Sequence, residues 1–124
     1  MGMYSYITKQ DLRIRKGYLH KLRQTIEKHR HGDGWRYYES VDVCANGRVK
    51  LDDLNGCKII GYWDRQFCRF LKDVGQYIRG VIALEYENEE ESPATIHFCE
   101  EDGKPTVTIE MPRTGERLSP DDLM

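Results

Sequence analysis

Long apolar runs are missing from this chain. The longest hydrophobic stretches span a few residues, too short for a membrane-spanning helix. The opening MGMYSYITKQDLR also lacks the apolar segment of a secretory signal. The expectation is a cytoplasmic protein with no membrane partner. Cysteine is sparse and irregular. Cys44, Cys57, Cys68 and Cys99 form no C-x-x-C pair, which argues against paired-cysteine zinc sites and against the dense disulfide framework of small secreted domains. The four read as free thiols. Also absent are a Walker loop, a dinucleotide fingerprint after a strand, a G-x-S-x-G elbow and an H-E-x-x-H helix. No cofactor or resident metal is expected, and an enzyme is the less favoured reading.

What is present suits one soluble core. The chain has 124 residues, 39% hydrophobic and 32% charged. That length buries a single core, and no linker composition divides it. Residues 1–113 read as one domain and 114–124, TGERLSPDDLM, as a loose tail. The formal net charge of −2 hides an asymmetry. Residues 1–50 carry 11 Lys/Arg against 5 Asp/Glu, while 51–124 carry 8 against 16. Such a split can polarise the surface.

Periodicity supplies the elements. Thr8 caps a first helix that runs to Gly32, with Leu12, Leu19, Leu22 and Ile26 on one face. Its other face is basic, with Arg13, Lys16, Arg23 and Arg30. Residues 1–7 either add an edge strand or remain loose. Trp35 to Lys50 reads as a hairpin turning at Asn46-Gly47, where both central residues tolerate positive φ. Cys57 to Gly61 reads as a short strand. Asp64 caps a second helix whose stripe is Phe67, Phe70, Leu71, Val74, Tyr77 and Ile78, closed by Gly80. Three alternating strands follow. They present Ile82, Leu84 and Tyr86, then Ile96 and Phe98, then Val107, Ile109 and Met111 to one side. The predicted fold is α+β: an antiparallel sheet, made of a hairpin plus a three-stranded meander, with two amphipathic helices packed on one face.

Four groups could carry chemistry. His29-x-His31 with Asp33 has metal-ligand types, but i and i+2 on a helix diverge. His97 and Cys99 share a strand face but stand roughly 6–7 Å apart, too far for a nucleophile–base pair. The segment Glu87, Glu89, Glu90 and Glu91, near Glu100-Glu101-Asp102, is a candidate acidic surface for a basic partner. The basic helix face and the aromatics of Gly34-Trp35-Arg36-Tyr37-Tyr38 combine phosphate contacts with stacking surfaces. A sequence pI of about 6.1 weighs against a dedicated nucleic-acid binder.

The opening MGMYSY, and the order of a strand, a GYWD-type helix, the strand IRGVIALEY and a hairpin with Glu-Asp-Gly, resemble small accessory proteins of bacteriophages and prophages. That resemblance assigns no site residue. It implies a protein that binds a host macromolecule by surface alone, as an inhibitor of a host defence or regulatory factor would. The favoured expectation is a non-enzymatic binding protein with two charged patches. The acidic one is Glu87, Glu89, Glu90 and Glu91, and the basic one is Arg13, Lys16, Arg23 and Arg30. A protein partner leads, nucleic acid is the alternative, and a homo-oligomer is compatible. The third class is a small nuclease or hydrolase using His29, His31 or His97.

Overall fold

The computed structural model describes residues 3–32, 35–39, 41–51, 57–59, 65–86, 94–111 and 114–123. In chain order the elements are β1 (Met3–Ile14), α1 (Leu19–Lys28), α2 (Trp35–Glu39), β2 (Asp42–Val43), β3 (Arg48–Lys50) and β4 (Cys57–Ile59). Then come α3 (Arg65–Val74), β5 (Ile78–Tyr86), β6 (Ala94–Glu101), β7 (Lys104–Glu110), β8 (Arg117–Leu118) and α4 (Pro120–Leu123). The fold is α+β, mostly antiparallel sheet with a few short helices. The strands run in the order β2-β3-β1-β5-β6-β7-β8, and β4 also pairs with β1.

The expected first helix is half strand. Residues 8–14 belong to β1, which pairs along most of its length with β5; the helix begins only at Leu19. The reason is visible in the registers. Ile7 lies opposite Leu84, whereas Lys9 lies opposite Ala83, so β1 carries one extra residue at Thr8. That bulge shifts the side-chain alternation by one. Ile7 before it and Leu12 and Ile14 after it then point the same way, although their sequence spacing is odd. In the bare sequence this shift hides the two-residue period. Leu12 falls instead onto a helical comb with Leu19, Leu22 and Ile26.

The predicted hairpin is also corrected. Trp35–Glu39 is the short helix α2, and only Asp42–Val43 pairs with β3. The turn sits where Asn46-Gly47 put it, but by different geometry. Gly47 takes φ 83° and Asn46 stays at negative φ. The Gly47 amide donates to the Cys44 carbonyl at 2.9 Å, and the Cys44 amide to the Arg48 carbonyl at 2.8 Å. This is a three-residue connection with glycine in the left-handed position.

The second helix stops sooner than its stripe suggested. Phe67, Phe70, Leu71 and Val74 are buried on α3, but the chain turns at residues 75–77 and Ile78 already belongs to β5. Gly80 therefore lies inside a strand and closes no helix. A Cβ there would stand 2.0 Å from the Asp11 carbonyl oxygen, and its φ is 123°. Only a residue without a side chain lets β1 and β5 approach this closely. The proposed capping Asp64 lies outside the described residues.

The meander β5–β6–β7 follows the predicted alternation, with Ile82, Leu84, Ile96, Phe98 and Ile109 buried. The same core takes Leu12 of β1, Val49 of β3, Leu22 of α1, Tyr37 and Tyr38 of α2, and the α3 stripe. The tail is not loose. Arg117–Leu118 pair with β7, Pro120 is buried, and Lys72 meets Asp121 at 2.6 Å.

Candidate functional site

Two inward positions fix which side chains face outward. Leu12 and Val49 are opposite each other and fully buried. Their neighbours Arg13 and Arg48, also directly opposite, therefore point to the other face. Arg13 is opposite Arg79 on its second side. Three arginines thus stand in one cross-strand row over β3, β1 and β5, and all three are exposed. None forms an ion pair among the described residues. Directly opposed like charges destabilise a sheet, so fold stability does not account for this row.

The row borders a groove of about 460 Å³ lined by Asp11, Arg13, Arg79, Cys99 and Glu100, with Gly80 and Phe98 also in its lining. A neighbouring hollow of about 410 Å³ shares Arg79 and Glu100 and extends to Arg15, Lys16 and Tyr18. Arg15 is spoken for. Its Nε donates to Glu100 Oε1 at 2.9 Å and its Nη1 to the Gln76 carbonyl at 2.9 Å. Its guanidinium also lies 5.0 Å from the Tyr18 ring centroid. It closes the end of the sheet, while Arg13, Arg48 and Arg79 remain turned to solvent.

The rest of the outward face is low and mixed in charge. Val81, Ala83, Thr95, Thr106 and Thr108 are half-buried, and no described residue on this face is buried. Towards β8 the charges pair off. Arg117 meets Glu110 at 3.1 Å, and His97 Nε2 lies 3.5 Å from the same carboxylate oxygen. The free positive charge is therefore concentrated at the β3–β1–β5 end.

The sequence-predicted residues are dispersed by the fold. Arg13 is on the outer sheet face and Lys16 in the turn after β1. Arg23 lies on α1, whose Leu22 enters the core, and Arg30 follows α1, 3.5 Å from Glu27. They do not form one helix face, because residues 8–14 are strand. Tyr37 and Tyr38 are core residues at 0% and 2% exposure, so neither offers a ring face to a nucleic-acid base. Glu87, Glu89, Glu90 and Glu91 lie outside the described residues, as does Asp33. His31 sits at positive φ, 65°, just after α1. Cys99 is exposed on the face that carries His97.

His29 has company that the sequence did not announce. Its ring stacks on Tyr38 with centroids 4.7 Å apart, and its Nε2 lies 3.3 Å from Asp73 Oδ2. The Tyr38 hydroxyl donates to that same oxygen at 2.6 Å. Burial pushes the Tyr38 phenol well above its ordinary range, and the hydrogen bond and negative charge of Asp73 push it further. With its acceptor oxygen bonded from α2 and faced by His29, Asp73 ties the end of α1 and α2 to α3. No third metal-ligand type joins it: among the described residues no group of three His, Cys, Asp or Glu could hold a metal ion.

Arg48 and Arg79 were missed by the sequence reading, yet a signal exists. Each arginine of the row sits beside apolar or glycine neighbours, as in Leu12-Arg13-Ile14, Gly47-Arg48-Val49 and Ile78-Arg79-Gly80. That pattern marks an outward residue on a strand. Nothing in it says that the three strands are adjacent. No family model, no curated protein and no solved structure matches this chain. Among the described residues no helix is long and apolar enough to cross a membrane.

Proposed function

We propose that this protein is a non-enzymatic binding module that holds a polyanionic macromolecule on the outward face of its sheet. One observation carries the reading: Arg48, Arg13 and Arg79 are opposite one another on adjacent strands, exposed, and without ion pairs among the described residues. Each opposed pair of like charges is destabilising, and local rules of this kind are broken mainly where function demands it. In this reading α1 and α3 both back the sheet from its buried side, which leaves the opposite side to the partner. The charge-polarised surface inferred from the sequence is kept, but its basic pole moves from a helix to the sheet. The resemblance to phage accessory proteins makes the partner a host macromolecule, met in the cytoplasm.

Retention on immobilised heparin tests this. The wild-type chain should bind at low salt and elute in a salt gradient. Arg13→Gln/Arg79→Gln should elute markedly earlier, because each lost cation releases one fewer counterion. A wild-type chain that passes through unretained at low salt would refute the proposal.

A further inference from the structure

We infer that the polyanion is single-stranded nucleic acid, lying along β1 with its phosphates at the arginine row and a base on Tyr6; this rests on the polyanion reading above. The first argument is width. The row stands on β1 and its two neighbours, and five further strands belong to the same sheet. Seven strands at roughly 4.8 Å spacing span about 29 Å. A duplex major groove is about 12 Å wide and admits a helix or a two-stranded ribbon. A sheet face this broad cannot enter a groove, but a flexible single strand can lie on the face and reach the arginines.

The second argument is the aromatic at the other end. Tyr6 is the large hydrophobic residue left exposed among the described ones, at 39%. Ile7 packs against the core, so Tyr6 faces outward, on the side of the arginine row. Its partner on β5 is Glu85, six residues from the Arg79 that opposes Arg13. Six strand steps make about 20 Å, the reach of a few extended nucleotides. The floor between the two ends is Val81 and Ala83, small and half-buried, which leaves room for flat rings. Stacking on an exposed aromatic beside a cationic track is how sequence-tolerant single-strand binders work. Asp11 completes the set. It is exposed in the same groove as Arg13 and can accept a hydrogen bond from a base N–H, such as the imide N–H of thymine or uracil, which an unpaired base presents freely.

Anisotropy titrations with labelled oligothymidylate and oligouridylate of about 12 nucleotides, and with a duplex of equal length, decide it. The expected result is at least ~10-fold tighter binding of a single strand than of the duplex. Tyr6→Ala should lose about 10-fold on the single strands and leave heparin elution unchanged, while Tyr6→Phe, which keeps the ring, should bind as wild type. Arg13→Gln should lower the magnitude of the log–log salt slope by about 0.7. Equal affinity for duplex and single strand, or a Tyr6→Ala chain that binds like wild type, would overturn the inference while heparin retention still upheld the polyanion reading. Absence of binding to every polyanion would end both.

Discussion

Replacing Arg13 by Gln should stabilise the fold while weakening the function. Arg13 faces Arg48 on one side and Arg79 on the other. Two unit charges about 6 Å apart in water repel by about 0.7 kcal/mol, and cross-strand pairs of opposite charge, the reverse case, contribute about 0.2–1 kcal/mol each. The side chains are exposed, so the lower half of that range applies. Asp11, two residues away on the same face, returns part of the gain because it attracts Arg13. A net stabilisation of about 0.5 kcal/mol is expected, or a Tm rise of about 2–3 °C. The decisive quantity is the coupling in a double-mutant cycle of Arg13→Gln with Arg79→Gln, followed by urea denaturation at low salt. The coupling should have the sign of a relieved repulsion and shrink in 1 M salt, where the screening length falls to about 3 Å. An attractive coupling, or one unchanged by salt, would show that the guanidinium groups do not share a face as the register requires.

Three further outcomes follow from packing and protonation. Gly80→Ala should destabilise by more than about 2 kcal/mol, since it combines positive-φ strain with a Cβ placed 2.0 Å from the Asp11 carbonyl oxygen; thermal denaturation reads it. Gly75→Ala should also destabilise, because its Cβ would meet Val107 Cγ2 at 2.2 Å and the Leu71 carbonyl oxygen at 2.7 Å. Val107→Ala should recover only part of that loss, as it removes the first contact and not the second. Tyr38→Phe should cost about 1–3 kcal/mol by removing the 2.6 Å hydrogen bond to Asp73. The Tyr38 phenol is raised in the folded state, so its contribution is intact below the ordinary tyrosine value of about 10 and is lost as pH rises above it. Urea midpoints between pH 9 and 11 should therefore fall more steeply for wild type than for Tyr38→Phe.

Local pattern determined a good deal about this protein. The alternation of Ile82, Leu84, Ile96, Phe98 and Ile109 is enough to specify three strands with one buried face, since a strand has no other way to hide every second residue. The stripe Phe67, Phe70, Leu71 and Val74 likewise specifies the buried side of a helix. Asn46-Gly47 and Asp102-Gly103 mark turns because few other dipeptides accept those backbone angles. What local pattern could not supply was decided by pairing across the chain. The bulge at Thr8 put Ile7 and Leu12 out of phase, so β1 read as helix until β5 lay beside it. Trp35–Glu39 has strand-forming residues, yet burial of Tyr37 and Tyr38 against Phe67 and Phe70 draws it into a helix. The candidate site belongs wholly to this second kind. Arg13, Arg48 and Arg79 are three unremarkable arginines in sequence, and only the strand order β3-β1-β5 makes them one surface. A contact between distant residues depends on the register of a whole sheet, and no single segment encodes it.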